Sequence, residues 1–293
     1  MQCRLCGNEH SIKKYTINRF DPPFLINECA KCGFLFQDAG GDPGRAYSFY
    51  DEGYYTGTGA YTYIDERKEE EACRVVWKKR VSKWMKWDRS GKPGGSFLDV
   101  GCSFGGLMKV AEESGLKPYG IEVSLYSGAF AKKRFGGDSI FIGSVEDVKL
   151  PENEFSIVSL IEVIEHVHDI RKAIGNIYAS MKKGGVLIIQ TADMEGLQAK
   201  LYGKKYGYFL PGHLSYFSRN NLAGLLKSAG FSRIKFIGGV EFGLLSKLIK
   251  SGYGFKKWTD YLRWIKISTY HLISKAAFGR FHMTSSMVMA AWK

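Results

Sequence analysis

From residue 96 onward, short apolar runs of strand length alternate with stretches whose apolar positions recur at helical spacing. The runs at 97–100, 118–122, 139–142, 155–161 and 185–190 predict strands, with helices between them at 107–114, 126–135 and 170–181. Further on, the pattern predicts a helix over 221–229 and strands over 233–237 and 287–292. Strand and helix in strict alternation imply an α/β, Rossmann-like, doubly wound and mostly parallel sheet of seven strands, the last antiparallel. Ligands of such a sheet bind at the carboxyl ends of its strands.

Upstream, Val76, Trp77, Val81, Trp84 and Met85 recur at helical spacing among lysines and arginines over 63–87, an amphipathic helix that the polar, glycine-rich stretch 90–95 ends. Residues 38–59 are rich in glycine and tyrosine (Tyr47, Tyr50, Tyr54, Tyr55) and read as a linker with aromatic anchors. Between the last two strands, Leu262, Ile265, Leu272, Ile273 and Ala276 form an apolar stripe flanked by Arg263, Lys266 and Lys275. Such a stripe suits a lid, a membrane-surface helix or a helix packed on its own domain. The expected organisation is a ribbon at 1–40, a linker and helix at 41–95, and a main domain at 96–293 with a basic helical insertion at 242–284.

Composition changes this picture in two ways. With 293 residues, 45% hydrophobic and 14% aromatic, the chain can bury one large core plus a small appendage, which excludes a disordered protein. The net charge of +13 favours polyanionic company, and residues 242–293 hold nine Lys or Arg against the single acid Asp260, so contact is expected there. No run of eighteen uncharged apolar residues occurs and the first residues carry no apolar leader, so the expected location is cytoplasmic, with the basic region peripheral to the inner membrane face.

Four of the six cysteines fall in two Cys-x-x-Cys pairs, Cys3 with Cys6 and Cys29 with Cys32, each followed by a glycine. Two such knuckles predict a zinc ribbon, in which four thiolates close a tetrahedral shell and leave no position open for catalysis.

The run FLDVGCSFGG at 97–106 is a strand end, a glycine turn and a helix start. Gly101 and Gly105 allow close backbone approach to a ligand, and Asp99 can accept from a ligand's amino group. Glu122, at the end of the next strand, can take both hydroxyls of a ribose. Spacing alone fits an adenosyl nucleoside or a nicotinamide dinucleotide.

Residues 96–238 then resemble the class I S-adenosylmethionine-dependent methyltransferases, in particular methyltransferase domain family 23 and the ubiquinone-pathway O-methyltransferases. The glycine motif at 98–105, the segment GIEVS at 120–124 and the run FSIVSLIEVIEHV at 155–167 carry the resemblance. It implies S-adenosylmethionine as cofactor, held by Asp99, Gly101, Cys102, Ser103, Gly105, Glu122 and Val123. Val145 and Glu146 would lie at the adenine and Ile161 beside it, with Tyr54 and Tyr55 folded over the whole. Ser103 stands where the family's central glycine is usual, Ser156 where an aspartate is usual, and Ser144 where an acid is common.

Glu162, Glu165 and His166 are spaced i, i+3, i+4, which on a helical turn puts them on one face, and His213 lies on a later loop. Two carboxylates and two imidazoles can hold Mg2+ or another divalent cation with positions open for an acceptor's oxygens. The set resembles the metal site of small-RNA 2′-O-methyltransferases and ubiquinone-pathway enzymes. Two other readings stay open: His166 as a general base without metal, and residues that only shape the pocket. His168 reads as a surface residue.

The whole chain also resembles bacterial methyltransferases with an N-terminal four-cysteine ribbon, associated with surface-polysaccharide or natural-product sugars. The first expectation is therefore O-methylation of a sugar or other hydroxylated small-molecule acceptor. RNA 2′-O-methylation ranks lower because no RNA-binding motif or stacking aromatic array accompanies the charge, and C-methylation of a keto sugar is the third reading. A non-catalytic binding module would have no need for acids at the strand ends.

Overall fold

The computed structural model describes residues 1–38, 50–56, 65–91, 94–237, 257–262, 264–265, 269, 277–278, 281–282 and 285–293. Tyr47 and, within the stripe of the insertion, Arg263, Lys266, Leu272, Ile273, Lys275 and Ala276 lie outside the described residues.

An N-terminal meander comprises β1 (Ser11–Ile17), β2 (Phe24–Cys29) and β3 (Leu35–Gln37). Helices α1 (Glu52–Thr56) and α2 (Glu66–Trp87) lead to β4 (Ser96–Val100), α3 (Gly106–Glu113), β5 (Lys117–Glu122), α4 (Leu125–Phe135) and β6 (Ile140–Ile142). Then follow β7 (Phe155–Ile161), α5 (Ile170–Ser180), β8 (Met181–Ala192), α6 (Leu197–Tyr202), β9 (Ser215–Tyr216), α7 (Arg219–Ser228) and β10 (Arg233–Phe236). A short pair, β11 (Ala277–Phe278) and β12 (Phe281–His282), precedes β13 (Ser286–Trp292).

The main sheet has seven strands in the order β10-β13-β8-β7-β4-β5-β6. Neighbours from β8 to β6 are parallel, and β13 runs antiparallel between β8 and β10. This is the doubly wound sheet that the alternating pattern implies. Its central strands are near-continuous apolar runs because both faces are covered. Leu98, Val158, Leu160, Leu187 and Ile189 bury against Ile174 and Ile177 of α5 and Leu222 of α7. Phe97, Ile157, Val186 and Ile188, whose side chains leave the opposite face, bury against Val81 and Trp84 of α2 and Met108 of α3.

The helices start where short polar side chains replace the missing backbone partners. Asp65 accepts from the Arg67 N–H at α2, Ser124 caps α4, Asp169 takes the N–H groups of Arg171 and Lys172 at α5, and Ser218 caps α7. The Asp65 cap starts α2 three residues later than the apolar pattern suggests. β8 begins at Met181, directly after α5, and thus earlier than the expected start at 185.

The N-terminal meander shares a sheet with the main domain: β3 pairs with β9 antiparallel, Leu35 opposite Tyr216 and Phe36 opposite Ser215. Cys3, Cys29, Phe34 and Phe36 are buried in the same core as α5 and α7, with Phe34 packed on Phe217 at 5.1 Å between ring centroids. Polar contacts tie the same junction: Asn221 Nδ2 donates to the Cys32 carbonyl, Arg4 to that of His168, and the Arg171 guanidinium to that of Leu5. Among the described residues, no helix is long and apolar enough to cross a membrane.

Candidate active site

A cavity of about 620 Å³ opens at the carboxyl ends of β4, β5 and β7, the switch point of the sheet. Strand β4 ends in the glycine turn. Gly101 has φ +76°, and a Cβ there would meet Val163 Cγ2 at 2.5 Å, so both conformation and space require glycine. Ser103 also adopts a left-handed conformation, φ +51°, at the position where the resemblance led to a glycine. Its backbone N–H donates to Glu122 Oε2 at 2.7 Å, and its buried Oγ has no partner among the described residues.

Glu122 ends β5 on the cavity wall, and its other oxygen, Oε1, accepts from the Ser124 N–H at 2.9 Å. Burial pushes its carboxyl up to about 6, against the pull of those two backbone donors. The Ser127 side chain also hydrogen-bonds this carboxylate, and its remaining lone pairs can accept a ribose hydroxyl.

Asp99 is placed differently from the expectation. It lies one residue before the end of β4, opposite Ser159 of β7, and accepts the Ser159 hydroxyl at 2.6 Å beneath the cavity floor. Burial raises its carboxyl to about 8. Asp99 does not line the cavity, and neither do Cys102 and Gly105; Cys102 is buried against Gly120, and a Cβ at Gly105 would run into the Phe135 ring. Of the other residues nominated for the cofactor, Tyr54, Tyr55, Gly101, Ser103, Glu122, Val123, Val145, Glu146 and Ile161 all line the cavity.

The tyrosines come from α1, which lies across this end of the sheet. Tyr54 and Tyr55 are buried, Tyr55 packs on Phe104 at 5.1 Å, and its hydroxyl accepts from Ser127 Oγ at 3.2 Å. Glu146, nominated for the adenine side, accepts through Oε1 the N–H groups of His168 and Asp169, which anchors the loop leading into α5. Ser144 lines the wall and donates to Asp147 at 2.9 Å. His168 is half-buried, its carbonyl held by Arg4, where a surface residue was expected.

Glu162, Glu165 and His166 do not share a helical face. Glu162 has φ +56°, which breaks the helical period at the end of β7, and only a tight turn follows, with the His166 N–H donating to the Val163 carbonyl. Glu162 and His166 therefore reach the cavity wall, whereas Glu165 turns inward and accepts from Thr191 Oγ1 at 2.9 Å. Gln190 Nε2 donates to Glu162 Oε1 at 2.7 Å, and Arg80 in turn donates to Gln190 Oε1. Burial, then the neighbouring Glu162 charge, raises the Glu165 carboxyl well above its ordinary range.

His213 arrives on the loop between α6 and β9, its ring edge-on to that of His166 with centroids 4.6 Å apart. The Arg19 guanidinium of the N-terminal meander holds this loop, donating to the carbonyls of Tyr206 at 2.9 Å and Phe209 at 2.6 Å. His166 Nδ1 lies 2.8 Å from the Gly212 carbonyl and 2.7 Å from Tyr50 Oη. A carbonyl can only accept, so Nδ1 carries the hydrogen and Nε2 keeps its lone pair. Burial lowers His166 to about 4 and His213 well below its ordinary value, so both rings are neutral at pH 7.

Ligand atoms of Glu165, His166 and His213 all lie within 4.8 Å of one another. Glu165 Oε1 and His213 Nδ1 are buried without partners among the described residues, as expected of a donor set that fits a cation. Glu162 stands beside this trio with one oxygen committed to Gln190.

The four cysteines converge as well. Sγ of Cys3 lies 3.7 Å from that of Cys32, Sγ of Cys6 lies 3.6 Å from that of Cys29, and all four fall within 4.8 Å. Sulfurs at the corners of a tetrahedron around zinc would be about 3.8 Å apart. Gly7 and Gly33, which follow the two pairs, have φ +71° and +66° and donate their N–H groups back to Cys3 and Cys29.

The segment that starts at Gly143 was expected at the adenine and Tyr50 only as an aromatic anchor, and both line the cavity; Glu66, Val163, Tyr208 and Leu210 were not nominated from the sequence. Glu66, Glu122, Glu146 and Glu162 give the cavity four carboxylates, while among its described lining residues there is no lysine or arginine. In a chain of net charge +13 this wall suits a cationic ligand, and the adenosyl sulfonium with its methionyl ammonium is one.

The parallel sheet, the glycine turn and the acid at the end of β5 thus define a Rossmann-like α/β protein with a ligand-sized cavity at its switch point. More particularly, the chain belongs to the methyltransferase domain family, whose model matches residues 66–235. It is similar to phosphoethanolamine N-methyltransferase 2 of Caenorhabditis elegans, with 30% identity over 173 residues, 54% of this chain and 35% of that protein. It is also similar to ubiquinone biosynthesis O-methyltransferase of Rhodopseudomonas palustris, 33% identical over 100 residues, 33% of this chain and 39% of that enzyme. The matched part is thus well under half the length of these two relatives. A third relative, 24-methylenesterol C-methyltransferase 2 of Oryza sativa, is 27% identical over 58% of this chain and 48% of its own. The fold matches a methyltransferase structure from Archaeoglobus fulgidus with a TM-score of 0.53 and 18% identity, covering 79% of this chain and all of the other.

Proposed function

We propose that the enzyme methylates a hydroxyl of a sugar or other small hydroxylated acceptor, with Glu165, His166 and His213 holding a divalent cation. The observation that carries this reading is the buried, unpartnered pair Glu165 Oε1 and His213 Nδ1 beside the His166 ring, at the end of the cavity. A bound Mg2+ or similar ion would lower the pKa of an acceptor hydroxyl so that it attacks the methyl sulfonium as an alkoxide. The protein's part is to hold two neutral imidazoles and one carboxylate in place, with His166 oriented by Gly212 and Tyr50, and to exclude water behind Tyr50, Tyr208 and Leu210.

A second reading rests on the same ring. His166, oriented through Nδ1, can take the hydroxyl proton at Nε2 without a metal, although a ring whose pKa lies near 4 is a weak base. The relatives comprise N-, O- and C-methyltransferases, so the methylated atom is the point to test. The four cysteines would hold a structural zinc, supported by sulfur spacings close to a tetrahedral edge.

The deciding experiment loads the full-length enzyme with Mn2+ or leaves it chelated and supplies methyl-labelled S-adenosylmethionine with a panel of sugars and catechols, locating label by NMR. Label on oxygen that appears only with metal supports the proposal. Label on oxygen without metal favours the general-base reading, and label on carbon or nitrogen overturns the acceptor class.

A further inference from the structure

A second cavity, of about 400 Å³, adjoins the first. Tyr208 and Leu210, on the loop that carries His213, line both. The outer cavity is also lined by Tyr202 at the end of α6, by Lys205 and Tyr206 just after it, and by Ser285, whose carbonyl accepts from the Tyr206 hydroxyl. Arg19 fixes the loop between the two cavities through the Tyr206 and Phe209 carbonyls. Rings lead from one cavity to the other: His213 to Tyr208 at 6.1 Å between centroids, then Tyr208 stacked on Tyr206 at 5.5 Å.

The two cavities differ in charge. Four carboxylates line the inner one, with no lysine or arginine among its described lining residues; Lys205 lines the outer one, with no acid among its described lining residues. Over residues 196–210 the chain carries Lys200, Lys204 and Lys205, all exposed, and no Asp or Glu. An anionic group is therefore repelled by the inner wall and attracted to the outer one. Tyr202 lines the outer cavity and is 58% exposed, so its ring presents an apolar face to whatever enters.

We propose that the outer cavity is a subsite for the part of the acceptor remote from the methylated hydroxyl, and that this part carries a phosphate ester received by Lys205, with Tyr202 packed on the attached ring. The inference rests on the acceptor reading above: a hydroxyl placed at His166 and His213 leaves the rest of the molecule to extend past Tyr208 and Leu210. A phosphate, with its double charge and three acceptor oxygens, uses a cluster of lysines more fully than a carboxylate does.

Calorimetry on the full chain saturated with S-adenosylhomocysteine tests this with two phosphorylated probes, glucose 1-phosphate and UDP-glucose, against neutral methyl glucoside. At low salt both phosphorylated probes are expected to bind at least about tenfold more tightly than methyl glucoside. Lys205→Gln should remove about tenfold of that advantage, and Lys205→Arg should keep it within about threefold. Tyr202→Ala should weaken all three probes. S-adenosylhomocysteine affinity within about twofold of wild type shows that each variant is folded. Tighter binding of UDP-glucose than of glucose 1-phosphate identifies a nucleotide-linked acceptor, and the reverse a free sugar phosphate. Methyl glucoside binding as tightly as the phosphorylated probes, no binding of any of the three, or an advantage untouched by Lys205→Gln would overturn the subsite. Methyl label on carbon or nitrogen, with Lys205-dependent phosphate binding intact, would sink the hydroxyl assignment and leave the subsite standing.

Discussion

His166 and His213 stand edge to face, 4.6 Å between ring centroids, although they come from two different loops. Each loop has its own anchor: the first follows the left-handed Glu162, and the second is held by Arg19. Two neutral imidazoles so placed beside a buried carboxylate define the first prediction. Loss of His213 to alanine, or Glu165→Gln, should weaken Mn2+ binding at least tenfold in equilibrium dialysis, while S-adenosylhomocysteine affinity stays within about twofold of wild type. Mn2+ binding that survives both changes would remove the metal site.

The glycine turn gives a stability prediction. Alanine at Gly101 meets the Val163 side chain and must hold φ near +76°, so Gly101→Ala should cost about 2–4 kcal/mol in urea unfolding and abolish cofactor binding. A loss below about 0.5 kcal/mol would mean that the turn relaxes freely.

Much of this was legible in the sequence, and the reasons differ by element. Strands β4 and β7 declare themselves because burial on both faces leaves only apolar runs, and the twin Cys-x-x-Cys-Gly units carry their own turn geometry. What could not be read was side-chain direction. Glu162, Glu165 and His166 have helical spacing in the chain, but a single left-handed residue sends them to different places. Asp99 occupies the family's position yet faces Ser159, a partner that only the β4–β7 register supplies. Glu66 had no motif to mark it as a lining residue, because it reaches the cavity only through the way α2 docks against the turn.

Asp99 also sets a pH dependence. An unfolded aspartate ionises near pH 4, about the ordinary value, whereas the folded one holds its proton up to about 8. Between those values the unfolded chain has released the proton and the folded chain has not, so rising pH favours unfolding. Asp99→Asn removes this contribution, and its melting temperature relative to wild type should climb steadily from pH 5 to pH 8. The slopes due to Glu122 and Glu165 remain in both proteins. A difference that is flat with pH would show that Asp99 is ionised in the fold.

Near the C-terminus, Trp258, Tyr261, Leu262 and Ile265 follow helical spacing i, i+3, i+4, i+7 and are 55% to 73% exposed. They sit in a stretch with nine basic residues and one acid, a pairing of apolar side chains and positive charge that suits an anionic lipid surface. The chain should co-sediment with phosphatidylglycerol vesicles and not with phosphatidylcholine ones, and Trp258→Ser with Leu262→Ser should reduce this at least tenfold. Equal binding to both lipids, or none, would exclude a charge-assisted contact.

The pairing of Leu35 with Tyr216 makes the border near residue 38 a line in the sequence only. Strip away what precedes it and β9 loses its neighbour, the Arg19 grip disappears, and the stretch bearing His213 is left without its outer support. A gene rearrangement that moved either half alone would deliver two damaged proteins, so the cysteine-bearing start and the catalytic body have to be inherited together.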